Sequence, residues 1–170
     1  ATLSFALLAC PALAVPEPGQ LARADGSLIH YTLDRPTGPI AGLLVLSQGS
    51  GCVPGVKSQG LATVRAAFPA YATLIVEKAG IAPDMPIEHG YNDCPQDFRD
   101  RYTVSQRIDD YLAVIAALGP QPGRFVLFGG SEGGLAVAIL ASRLKPDATI
   151  LLSSATASTF GDMVKSTVPP

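Results

Sequence analysis

Residues 124–144 read RFVLFGGSEGGLAVAILASRL and divide at their glycines. Residues 125–128 are an apolar run of strand length, and the segment after the glycines is apolar over a helix length. Between them Ser131 and Glu132 form a lone polar pair, flanked by Gly129-Gly130 and Gly133-Gly134. A chain that leaves a strand and enters a helix within a few residues needs a tight backbone. Glycine on both sides lets it close without side chains colliding. The stretch predicts strand, sharp turn, helix.

The same alternation extends on both sides. GPIAGLLVLSQGSG predicts a buried strand near 41–46 that ends in a glycine loop, and SQGLATVRAAF a helix closed by Pro69. ATLIVEKAG predicts a second buried strand near 73–77, followed by a long polar loop over 80–102 with Pro83, Pro86 and Pro95. Thr103 and Gln106 have capping-box spacing. Behind them Ile108, Tyr111, Leu112, Ile115 and Leu118 recur at helical period, with Asp109 and Asp110 on the expected polar face. ATILLSS supplies a last strand. Upstream, residues 15–20 (VPEPGQ) read as an extended linker. Asp25-Gly26 between two alternating segments signals a hairpin. After the hairpin the order is β-α-β-α-β-α-β with continuous apolar strands. That predicts an α/β fold, a mostly parallel sheet with helices on both faces.

The chain has 170 residues, 48% of them hydrophobic, enough for one domain with a real core. Its net charge is −2 and no basic cluster occurs, which argues against a nucleic-acid partner. No apolar run reaches the ~18–20 residues of a membrane span. ATLSFALLACPALA is apolar and uncharged and ends in Ala12-Leu13-Ala14. It reads as the remnant of a secretory signal over 1–14, cleaved near Val15, ahead of a domain over 15–170. A buried N-terminal helix or strand is the other reading. A third is a lipoprotein box at LLAC, with Cys10 lipidated. The expected location is secreted or periplasmic. In that compartment Cys52 and Cys94 are expected as a bridge rather than as two unpaired cysteines. The bridge would pin the loop after the first core strand to the rim of the sheet. His30 and His89 are the only histidines. No metal site and no cofactor is expected.

Gly129-Gly130-Ser131-Glu132-Gly133 matches G-x-S-x-G, and it stands where a strand gives way to a helix. Such a turn lifts a serine Oγ clear of the sheet. It also leaves the N–H of the next residue, Glu132, at a helix N-terminus, where negative charge is favoured. The plainer readings are a tight turn with a solvated serine, or a phosphate-binding turn. Gln48-Gly49-Ser50-Gly51 follows the first core strand, and its Ser50 N–H is the candidate second donor to an oxyanion. An ordinary glycine turn is the alternative there. Lys57-Ser58 after these glycines suggests a P-loop, but Val56 separates Gly55 from Lys57 and the adjacent Gly-Lys is missing. A nucleotide-binding protein is the weakest reading.

Through these two motifs and the hairpin, residues 21–155 resemble the α/β-hydrolase family. The GGSEGG form and VEKAG look like its secreted esterase and peptidase-like members. The resemblance implies that Ser131 is a nucleophile cleaving an ester or amide of a small-molecule or peptide substrate through an acyl-enzyme. It implies an oxyanion hole from Glu132 and Ser50, with Gln48 replacing the usual histidine and shaping the loop. It also requires an acid and then a histidine downstream. No histidine follows Ser131, and Asp162 is the only acid after the last strand. The expectation is a chain truncated at the C-terminus, with little turnover in isolation. The rival is a non-catalytic fragment or binding module with the same fold. No signal for oligomeric state is present.

Overall fold

The computed structural model describes residues 16–87 and 90–153. The expected signal remnant with Cys10, His89 and Asp162 lie outside the described residues. Six strands form one sheet: β1 (Glu17–Ala22), β2 (Leu28–Asp34), β3 (Gly42–Ser47), β4 (Tyr71–Val76), β5 (Arg124–Gly130) and β6 (Ala148–Leu152). Their order is β1-β2-β4-β3-β5-β6. β1 and β2 are an antiparallel hairpin that joins the sheet antiparallel to β4. The β4, β3, β5 and β6 strands run parallel.

β3 is buried along its whole length, because it has strands on both sides and helices over both faces. This is why it reads as an unbroken apolar run. Successive residues still alternate between faces. Leu44 and Leu46 pack with Ile75, Val126 and Phe128 under Leu61 of α1 (Gln59–Ala67). Leu43 and Val45 pack with Leu74, Val76 and Leu127 on the other face. There they meet Tyr111 and Val114 of α3 (Val104–Leu118) and Ala136, Val137 and Leu140 of α4 (Glu132–Leu144). The expected α/β sheet with helices on both faces is what forms, including the N-terminal hairpin.

Several local expectations change. The linker expected at 15–20 is largely strand, since Glu17–Ala22 pairs along β2. His30 lies in β2 between β1 and β4, with Gln20 Nε2 3.4 Å from its Nδ1. The loop expected over 80–102 contains a 3₁₀ turn at Gly90–Asp93 and a short helix, α2 (Gln96–Arg101). Phe98 explains α2: it packs into a satellite core with Cys52, Ile81, Ile87 and Cys94 and stacks on Tyr102.

In α3, Thr103 accepts from Gln106 N at 3.0 Å as a cap should. The Gln106 side chain, however, reaches forward to Asp110 (2.9 Å) and not back. The buried stripe of α3 includes Arg107 and Asp110 besides Ile108, Tyr111 and Val114. Asp110 is therefore not on the polar face. It is 1% exposed and paired with both Arg23 Nε (2.8 Å) and Nη2 (2.7 Å).

Candidate active site

β5 ends at Gly130 and α4 begins at Glu132, which leaves Ser131 alone at the junction. Its backbone has φ 52° and ψ −123°. A residue with a Cβ enters that region only under strain, of order 1–3 kcal/mol. Surrounding hydrogen bonds hold it there. Ser131 N donates to Leu152 O of the neighbouring strand (2.9 Å), and Ser131 O accepts from Gly134 N (3.0 Å) and Leu135 N (3.3 Å). The turn also brings Gly129 against the first turn of α4, where a Cβ on Gly129 would lie 2.3 Å from Gly133 O. The outer glycines are thus required by close backbone approach. Ser131 is exposed at the end of the sheet, immediately before the N-terminus of α4.

β3 lies next to β5, and the two pair up to Ser47 opposite Gly129. The Gln48–Gly51 loop therefore leaves the sheet beside the elbow. Gly49 faces Ser131, such that a Cβ on it would lie 3.4 Å from Ser131 Cβ and 3.9 Å from Oγ. Gln48 Nε2 donates to Val53 O at 2.7 Å and closes the loop on itself. Cys52 and Cys94 form a disulfide with Cα atoms 5.5 Å apart, tying this loop to the segment before α2. The structure thus gathers Ser131, Glu132, Gly129, Gly133 and Ser50 at one end of the sheet, with the Cys52–Cys94 bridge close by along the chain.

A layer of charge behind these residues was missed by sequence reasoning. Lys78 is fully buried, and its Nζ donates to Gly49 O (2.7 Å), Gly51 O (2.8 Å) and Glu132 Oε1 (3.2 Å). Burial and nearby Arg107 pull its pKa down to about 8, against the opposing pull of Glu132. Glu77, the preceding residue, accepts from the amides of Gly55 (2.6 Å) and Val56 (3.2 Å). Burial raises its pKa, and those two amides oppose the shift.

Glu132 does more than line the site. Its Oε1 also meets Arg107 Nη1 at 3.3 Å and accepts from the Tyr102 hydroxyl. Burial would raise its pKa, but Lys78, Tyr102 and Arg107 outweigh burial and hold the carboxylate below its usual range. Two sequence signals were available. One is a Glu-Lys pair directly after a buried strand. The other is Arg107 at the same helical face as Tyr111 and Val114.

His30 is not part of this site. Its strand is separated from β5 by β4 and β3, a distance of about 14 Å at the usual strand spacing. Lys57 donates to the Met85 carbonyl (2.6 Å) and the Asp84 carbonyl (3.4 Å), so it is spent on loop structure. Among the described residues, no group of three or more His, Cys, Asp or Glu could hold a metal ion. No helix among them is long and apolar enough to cross a membrane.

No family model and no curated protein matches the sequence. Solved structures do match. A hydrolase from Pseudomonas aeruginosa PA01 superposes with a TM-score of 0.57 at 19% identity, covering 88% of this chain and 50% of that one. An alpha/beta hydrolase from Novosphingobium aromaticivorans gives 0.57 at 24% identity, covering 82% and 45%. Est1E from Butyrivibrio proteoclasticus, solved with ferulic acid bound, gives 0.60 at 22% identity, covering 79% and 52%. The chain spans about half the length of these structures. Strand order, the hairpin and these superpositions agree, and the chain has the α/β-hydrolase fold.

Proposed function

We propose that this chain carries the nucleophile of a serine hydrolase that cleaves an ester or amide bond through an acyl-enzyme on Ser131. The observation that carries this reading is the backbone of Ser131, held at φ 52° between β5 and α4. Strain of this kind persists where the surrounding structure enforces it, and it clusters at reactive sites. In the proposed reaction Ser131 Oγ attacks the substrate carbonyl, and its proton passes to a general base. The negative oxygen that forms is met by the N–H groups of Glu132 and Ser50. Collapse expels the alcohol or amine, and water then releases the acyl group by the same route.

A serine hydroxyl needs a base to act as a nucleophile, and among the described residues no histidine stands beside Ser131. The test therefore uses the full-length protein and a fluorophosphonate probe. Covalent labelling at Ser131, abolished in Ser131→Ala, is the expected result. An unlabelled full-length protein would leave only a binding module with a hydrolase fold. The substrate proposed is a small molecule or peptide. Export to a secreted or periplasmic location is proposed as well, and the Cys52–Cys94 bridge supports it, since such bridges persist in oxidising compartments.

A further inference from the structure

Lys78 follows β4, and its ammonium is closed off from solvent. It has three N–H bonds and three acceptors: the carbonyls of Gly49 and Gly51 and the carboxylate of Glu132. The first acceptor matters most. Gly49 C=O and Ser50 N–H belong to one peptide unit, and the described chain contains no cis peptide. In a planar trans peptide the C=O and N–H point in opposite directions. Gripping Gly49 O therefore turns the Ser50 N–H away from the ammonium. The third acceptor belongs to Glu132, whose own N–H is the other candidate donor to the oxyanion.

We propose that Lys78 is a positioning residue, whose ammonium aims the Ser50 N–H and locks the two halves of the oxyanion hole to one another. This rests on the serine-hydrolase reading above and adds the group that preorganises its electrostatics. Stability alone does not explain such a lysine. Removing an ammonium from water costs several kcal/mol, and an apolar residue of similar length often packs as well or better. Free loop carbonyls at a surface where Ser50 is exposed could bond to water instead. What water cannot supply is a fixed direction, and electrostatic catalysis depends on donors that do not reorient during reaction.

The groups facing the ammonium are Glu132 from α4, Arg107 from α3, the neighbouring Glu77 and the Tyr102 ring, whose centroid is 4.8 Å away. Burial and the guanidinium pull its pKa down to about 8 and the two carboxylates oppose them, so the lysine stays largely protonated at neutral pH.

The experiment measures fluorophosphonate labelling and p-nitrophenyl acetate hydrolysis by the full-length protein. Lys78→Met is expected to lower the labelling rate and kcat by about 10- to 100-fold with KM within about twofold, the signature of lost transition-state stabilisation. Thermal unfolding establishes that the variant folds. Glu132→Gln keeps the backbone N–H and the buried lysine but removes the anionic partner. It is expected to lower kcat by about threefold or more, and it decides the question if Lys78→Met fails to fold. Unchanged labelling and kcat in the folded Lys78→Met protein, or a loss carried by KM, would overturn the proposal. So would an unchanged kcat in Glu132→Gln. Failure of the unsubstituted protein to label at Ser131 would remove the hydrolase reading and this inference together. Labelling of that protein with undiminished Lys78→Met removes this inference alone.

Discussion

An ideal Cβ on Gly133 would lie 2.2 Å from Ser47 O and 2.4 Å from Gln48 O, both backbone atoms that cannot swing aside. One on Gly130 would meet nothing nearer than Leu152 O at 3.9 Å. The two glycines look alike in the sequence but answer to different constraints. Gly133→Ala is expected to destabilise the full-length protein by at least about 2 kcal/mol through forced backbone displacement. Gly130→Ala should cost less than about 1 kcal/mol. Urea unfolding of both variants checks the contrast, and equal losses would contradict this account of the turn. The difference also explains what was legible. The elbow could be read because its signature falls within five consecutive residues. Lys78 and Glu132 are 54 residues apart, and Arg107 and Glu132 are 25 apart. VEKAG shows a Glu-Lys pair after a buried strand, but not that its lysine turns inward to the carbonyls of a glycine loop.

The parallel strands and the helices α1, α3 and α4 were legible as elements because each carries enough apolar residues to form a recognisable run or period. The α2 segment, QDFRDR, carries only Phe98, and its helix depends on the satellite core around the disulfide. The packing face of α3 was partly misread for a related reason. Asp110 counts as polar in any pattern, yet it is buried because Arg23, 87 residues away, reaches it with two hydrogen bonds. This pair ties the β1–β2 hairpin to α3. With side chains 10% and 1% exposed, it is not a surface ion pair of the kind that contributes little. Asp110→Ala leaves the Arg23 guanidinium buried without its counter-charge and should cost about 3 kcal/mol. The double variant Arg23→Met, Asp110→Leu should recover much of that loss, since it removes both charges. Denaturant unfolding of the two proteins measures the coupling. A double variant as unstable as the single one would show that the pair contributes net stability.

Charge buried beneath the loop also sets how the whole molecule responds to pH. Glu77 and Lys78 are adjacent and both buried, and burial shifts each toward its neutral form. For Glu77 the folded state holds its proton at higher pH than the unfolded chain does. Stability therefore falls as pH rises from the unfolded value through the folded one. For Lys78 the folded state gives up its proton near pH 8 and the unfolded chain near the ordinary lysine value of 10.5. Between those values the unfolded state binds more protons, so stability rises with pH. Above about pH 10 the raised pKa values of Tyr102 and Tyr111 act the other way. The free energy of urea unfolding should accordingly gain about 2 kcal/mol from Lys78 between about pH 7 and 10. The Lys78→Met protein should lack that gain, and titrations not coupled to Lys78 cancel in the difference between the two curves. Parallel curves over this range would mean that the buried ammonium keeps an ordinary lysine pKa. The molecule should thus become more stable as it loses the charge that bonds to Glu132. An ammonium that makes the fold less stable while it holds Gly49 and Glu132 in register is what a positioning role requires and what a purely structural role does not.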